Sequence, residues 1–118
     1  MWLRGLLGRQ GEDLAASLLE AQGLRILERN WRGRMGEIDI VCEEAGRLVF
    51  VEVKTRTSAR YGQPEEAIQP RKLERMRRTA YEYLLKRFGE ERPCQLDVVA
   101  VEPGPDGRLA ARRLAGVG

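Results

Sequence analysis

From Glu37 to Glu43 the chain alternates between two faces, turns at Ala45-Gly46, and resumes as a β-rich run from Arg47 to Lys54. Alternation with period two is the mark of a half-buried β-strand, and a short Gly-containing break between two such runs makes a hairpin. The first run places Ile38, Ile40 and Cys42 on one face and Glu37, Asp39, Val41 and Glu43 on the other. The second places Val49, Val51 and Val53 on one face and Leu48, Phe50, Glu52 and Lys54 on the other. A lone hairpin is marginal in water, so the rest of the chain must cover it.

The flanking sequence supplies that cover. A helix is expected from about Gly8 to Gln22, with Leu14, Ala15, Leu18 and Leu19 on one face and Gly23 as its stop. A strand from about Leu24 to Trp31 follows, then a turn at Gly33-Arg34-Met35-Gly36. After the hairpin, Thr55 to Gln63 reads as an irregular loop. Pro70 opens a second helix running to about Phe88, with Leu73, Met76, Ala80, Tyr83 and Leu84 as its apolar stripe. Cys94 to Glu102 is a strand, Pro103 to Gly107 a turn, and Arg108 to Leu114 a last edge strand. The order is α-β-β-β-α-β-β, a mixed α/β fold. With 118 residues and no internal repeat or linker, one domain over 1–118 is expected.

Composition then removes classes of chemistry. The chain has no His, which excludes Ser-His-Asp and Cys-His nucleophiles, paired-His acid–base catalysis and His-containing zinc sites. Cys42 and Cys94 are too few for a four-Cys zinc site, and Cys42 within an apolar alternation reads as a small buried hydrophobe. No apolar run is long enough to span a bilayer, so no membrane partner is expected. The start, with Arg4 and two early glycines, does not resemble a signal peptide, and the expected compartment is the cytoplasm. Net charge is only +3, but Lys54 to Arg78 carries eight basic residues against three acidic. Such a concentration suits a polyanion partner; an Arg-rich solvated helix would look the same.

The hairpin also carries a chemical constellation. A turn centred on Ala45-Gly46 sets Asp39 opposite Glu52 and Glu37 opposite Lys54, all four on one face. Two facing carboxylates at about 4 Å and an effective dielectric of about 20 repel by roughly 4 kcal/mol before screening. A hard divalent cation, Lys54 as a counter-charge, or protonation of one carboxyl would each relieve this. With a cation, carboxylates and a lysine make a site for phosphodiester hydrolysis. Without one, the face is a set of cross-strand ion pairs. Glu12, at the edge of the first helix's apolar stripe, either leans over the sheet or is an ordinary first-turn acid.

Asp39 followed by Glu52-Val53-Lys54 on the next strand resembles the core of the PD-(D/E)XK nuclease superfamily, the restriction-endonuclease-like fold. A closer resemblance, over nearly the whole chain, is to the YraN family of small bacterial proteins. It rests on Gly8-Arg9-x-Gly11-Glu12, Asn30-Trp31-Arg32, Gly36-Glu37-Ile38-Asp39-Ile40-Val41, Val51-Glu52-Val53-Lys54-Thr55-Arg56, Tyr61-Gly62-x-Pro64 and Asp97-Val98-Val99-Ala100-Val101. The superfamily's Pro before its first Asp is Ile38 here, which touches no ligand. The resemblance implies an α-β-β-β-α-β core. It implies Mg²⁺ or Mn²⁺ held by Asp39, Glu52 and the Val53 carbonyl, with Glu12 joining directly or through a water, and Lys54 serving the attacking water. Glu37 is expected to do no more than pair with Lys54.

Substrate contacts are expected from Thr55 and Arg56, which follow the lysine with Thr57 and Ser58, from Arg32 in the preceding turn, and from Arg71, Lys72 and Arg75 on the second helix. Each of these residues also suits a solvated surface. Trp31 and Tyr61 are either base-stacking or core residues, and Tyr81 and Tyr83 are expected to pack the helix. The expectation is a metal-dependent nuclease acting on DNA rather than RNA, with branched or structured DNA suggested by analogy alone. The alternative is a binding module or partner protein that keeps the fold without cutting. One site per chain would have to act twice, or in a homodimer, to cut both strands.

Overall fold

The computed structural model describes residues 2–56 and 69–118, with side chains from residue 8 onward. Thr57, Ser58 and Tyr61, and most of the expected loop to Gln63, lie outside the described residues. So do the side chains of Trp2, Leu3, Leu6 and Leu7.

The elements are α1 (Trp2–Ala21), β1 (Arg25–Arg32), β2 (Glu37–Glu44), β3 (Arg47–Thr55), α2 (Pro70–Phe88), β4 (Cys94–Pro103) and β5 (Leu109–Leu114). The expected mixed α/β order is the one observed. The five strands form one sheet in the order β1-β2-β3-β4-β5. Only β3 and β4 pair in parallel, as the intervening α2 crossover allows; the other pairs are antiparallel.

The helices cover opposite faces of the sheet. Ala15, Ala16 and Leu19 of α1 pack on Ile40, Cys42, Val49, Val51, Val99 and Val101. Ala80, Tyr83 and Leu84 of α2 pack on Trp31, Val41, Leu48, Phe50 and Leu96. Helix α2 starts on Pro70 at its first turn and ends on Gly89, whose backbone is left-handed (φ 73°) and whose N–H donates to Leu85 O at 2.9 Å.

Away from the hairpin, β4 and β5 carry a buried ion pair. Asp97 is fully buried and accepts Arg113 Nε at 2.6 Å, Gln95 Nε2 at 2.8 Å and the Gly116 amide at 2.9 Å. Arg113 also donates to Glu44 at 3.0 Å and to Gln22 at 3.1 Å. A buried carboxylate is tolerable only when its lone pairs are filled in this way. Cys42 is a buried free thiol, as expected, with its pKa pushed up to about 12 chiefly by burial; Cys94 is exposed.

Three expectations need correction. Helix α1 begins at Trp2 rather than near Gly8; a glycine inside a helix costs only about 1 kcal/mol and does not stop one. Ile38 does not share a face with Ile40: it joins Trp31 and Tyr83 on the α2 side, while Ile40 packs under α1. The alternation changes phase at Asp39, opposite Asn30, whose backbone is left-handed (φ 56°) between the Arg29–Ile40 and Trp31–Ile38 pairs. Finally, the hairpin keeps the expected register from Glu44–Arg47 to Ile40–Val51, but the ladder stops there. Asp39–Glu52 and Glu37–Lys54 are not ladder pairs.

Candidate functional site

Where the hairpin ladder ends, a side chain takes over. Asp39 Oδ2 accepts the backbone N–H of Val53 at 2.7 Å. The carboxylate thus bridges β2 to β3 where a strand carbonyl would otherwise do so, and the two strands part beyond it. Burial pushes the Asp39 carboxyl up to about 6, against the lowering effect of the Val53 bond. Glu52, Glu12 and Glu37 add repulsion in the same upward direction. The expected crowding of carboxylates is present, but burial rather than Glu52 is its chief cost.

Glu12 leans over the sheet from α1 instead of pointing into solvent. Its Oε1 accepts Asn30 Nδ2 at 2.9 Å and Arg29 Nε at 3.0 Å. Arg29 also donates to Asp13 at 2.6 Å, and with these acids its guanidinium is held above its usual range. The left-handed turn at Asn30 serves this contact, since Asn tolerates that conformation better than a bulky residue does. Gly11 lets α1 come this close: a Cβ there would overlap Thr55 Oγ1 at the end of β3. Neither Arg29 nor Asn30 was among the expected site residues. The available signal was Asn30 inside Asn30-Trp31-Arg32, a motif with no role until the fold sets it against Glu12.

Gly8, Arg9, Glu12, Asn30, Arg32, Asp39, Val53, Lys54 and Thr55 line a polar cleft of about 610 Å³. Four elements supply it: α1, β1, β2 and β3. Glu52 stands beside the cleft, with Lys72 Nζ of α2 at 3.9 Å from its Oε1. The Lys72 side chain, and then burial, hold the Lys54 ammonium below its usual range. Among the described residues, no three His, Cys, Asp or Glu side chains gather as a closed metal cage. Asp39 and Val53 line the cleft while Glu52 stands outside its lining, so a cation held there would keep most of its waters, as Mg²⁺ does.

The other expected contacts divide. Thr55 and Arg32 line the cleft, and Arg32 Nε pairs with Glu37 at 3.1 Å. Glu37 therefore pairs with Arg32 and not, as expected, with Lys54. The Arg56 amide donates to Val101 O at 2.8 Å, which fixes the backbone just past β3. Arg71 and Arg75 are exposed on α2, outside the cleft lining. Trp31 is a core residue, edge-on to Tyr83 at 5.2 Å. Tyr83 packs as expected, whereas Tyr81 is 47% exposed.

The chain has close sequence relatives. A UPF0102 protein of Symbiobacterium thermophilum is 53% identical over 105 residues, 89% of each chain. One from an Arthrobacter species is 49% identical over 120 residues, the whole of both chains. One from Persephonella marina is 43% identical over 100 residues, 85% of this chain and 84% of its own. The model of the family described as "Uncharacterised protein family UPF0102" matches residues 11–101, from the glycine that seats α1 on Thr55 to the last buried valine of β4. The chain that builds this cleft belongs to that family, UPF0102, the YraN family of its sequence resemblance.

Proposed function

We propose that the cleft is the active site of a metal-dependent nuclease that hydrolyses phosphodiester bonds in DNA. The observation that carries this reading is the meeting of Asp39, Glu12, Lys54 and the Val53 backbone at one polar cleft. Asp39 is also a half-buried carboxyl among three other acids, a perturbed environment of the kind that clusters at functional sites.

Mg²⁺ or Mn²⁺ would be held by Asp39, Glu52 and the Val53 carbonyl. Once bound, it would supply an acidified water and neutralise charge on the phosphate. Both bonds that Glu12 accepts, from Arg29 and Asn30, fall on its Oε1, and the carboxylate would join the ion directly or through a water. Lys54 Nζ orients the attacking water and donates to the phosphate oxygen on which charge builds. Thr55, Arg56 and Arg32 hold the phosphate beside the cleft. Arg71, Lys72 and Arg75 on α2 bind the backbone without reading sequence. Branched or structured DNA remains the substrate class suggested by the superfamily resemblance.

The engagement of Glu12 by Arg29 and Asn30 favours a second reading, a nucleic-acid-binding module that keeps the fold without cutting. One experiment separates the two: labelled single-stranded, duplex, flapped and four-way-junction DNA with Mn²⁺ or EDTA, comparing wild type with Lys54→Ala. The nuclease reading expects cleavage by wild type in Mn²⁺ only, reduced at least a hundredfold by the substitution. Binding without cleavage, equal in both proteins, would replace it with the binding module.

A further inference from the structure

The outward face of α2 presents Glu74, Arg78, Tyr81 and Leu85 at successive spacings of four, three and four. That is the seam spacing of paired helices. Tyr81 is 47% exposed and Leu85 42%, and Met35, 46% exposed, reaches the same place from the β1–β2 turn. Among the described residues these are the large exposed hydrophobics, and all three line one groove of about 500 Å³ with Arg77, Arg78 and Glu82. Scattered exposed hydrophobics need no explanation; a cluster marks an interaction surface.

The charges around the groove indicate the occupant. A rim of one sign would suit a polyanion or an acidic partner. This rim carries both signs in an order that complements itself when reversed. Two antiparallel copies of α2, related by a two-fold axis at the level of Thr79 and Ala80, place Tyr81 against Arg78 of the second copy. Leu85 then covers the stem of the second copy's Glu74, which Lys86 reaches. Glu74 currently pairs with Arg78 at 3.2 Å and Arg77 at 3.8 Å, and Lys86 with Glu82 at 3.0 Å, a carboxylate that the Arg34 and Met35 amides also hold. Such exposed pairs within one helix are weak and can be exchanged across an interface.

We propose that this face of α2 is a homodimer interface, isologous and built on antiparallel α2 helices. The proposal stands whether or not the cleft cuts DNA. With α2 rising about 1.5 Å per residue, the two copies of Lys72, and with them the two clefts, would lie at opposite ends of the paired helices.

Sedimentation equilibrium of the full chain without DNA tests it. Wild type is expected at twice the monomer mass. Tyr81→Glu and Leu85→Glu, both at exposed positions and checked for helical signal by circular dichroism, should each halve that mass. Glu74→Lys should do the same by facing Lys86 of the other copy, and Glu74→Lys with Lys86→Glu should restore the dimer. A monomer at every concentration would overturn the proposal. So would a dimer indifferent to Tyr81→Glu and Leu85→Glu, or one that forms only when DNA is added.

Discussion

At the scale of single residues, Asp39 does two jobs that conflict. Its carboxylate holds the Val53 amide, yet burial and the neighbouring acids disfavour its charge. Asp39→Asn keeps an acceptor for Val53 and removes the charge. In EDTA at neutral pH the variant should melt a few degrees above wild type, and Mg²⁺ or Mn²⁺ should no longer stabilise it. Differential scanning calorimetry with and without metal reads both effects, and an unchanged or lower metal-free Tm would remove the idea of a strained carboxylate. Gly11 works by lacking an atom. Ala is the better helix former by about 1 kcal/mol, but its methyl would overlap Thr55 Oγ1. Gly11→Ala should therefore destabilise by about 1–3 kcal/mol in urea titration, and Thr55→Ala in the same chain should recover most of the loss.

At the scale of elements, the β1–β2 turn is fastened to α2 by one carboxylate. Glu82 accepts the amides of Arg34 and Met35 at 2.8 and 2.9 Å and pairs with Lys86 at 3.0 Å. Those two amides, and then Lys86, hold its carboxyl down at about 2, well below the ordinary 4.5. Its folded-state pKa is depressed, so its contribution is complete above the ordinary value and is lost as pH falls through the folded one. Thermal melts of wild type and Glu82→Gln should differ at neutral pH, and the gap should close between about 4.5 and about 2. A gap independent of pH would assign the effect to shape rather than charge. Strands, helices and the hairpin register were legible because period two and period 3.6 are local properties. The parting of β2 from β3 was not, because it depends on a side-chain bond from Asp39 to an amide 14 residues away. For the same reason Asp39, Lys54 and Glu12, which meet at one cleft, could be nominated from sequence, while Arg29 and Asn30, which hold Glu12, could not: those contacts exist only once α1 lies over β1. The apolar stripe of α2 was also legible, but Tyr81, outside it, was read as packing, since residue type alone does not tell which side of a helix is covered.

At the scale of the whole molecule, charge and shape act together. No described helix is long and apolar enough to cross a membrane. Among the described residues, the basic side chains of the stretch from Lys54 to Arg78 begin at the cleft with Lys54 and continue along α2 from Arg71 to Arg78. If they grip a nucleic-acid backbone, duplex affinity should fall steeply with salt, and Arg71→Ala and Arg75→Ala should each reduce the slope of log affinity against log salt by about one, measured by fluorescence anisotropy. Equal loss at all salt concentrations would assign these arginines another role. The sheet is also unevenly fastened. Toward the Ala45-Gly46 turn, Arg113 gathers Asp97, Glu44 and Gln22, tying β5 to β4, β2 and the end of α1. Toward the cleft, the β2–β3 ladder has already ended. The hairpin is thus clamped at its turn by a buried charge cluster, and at the cleft its two strands hold each other through one side chain, a single rivet in place of a ladder.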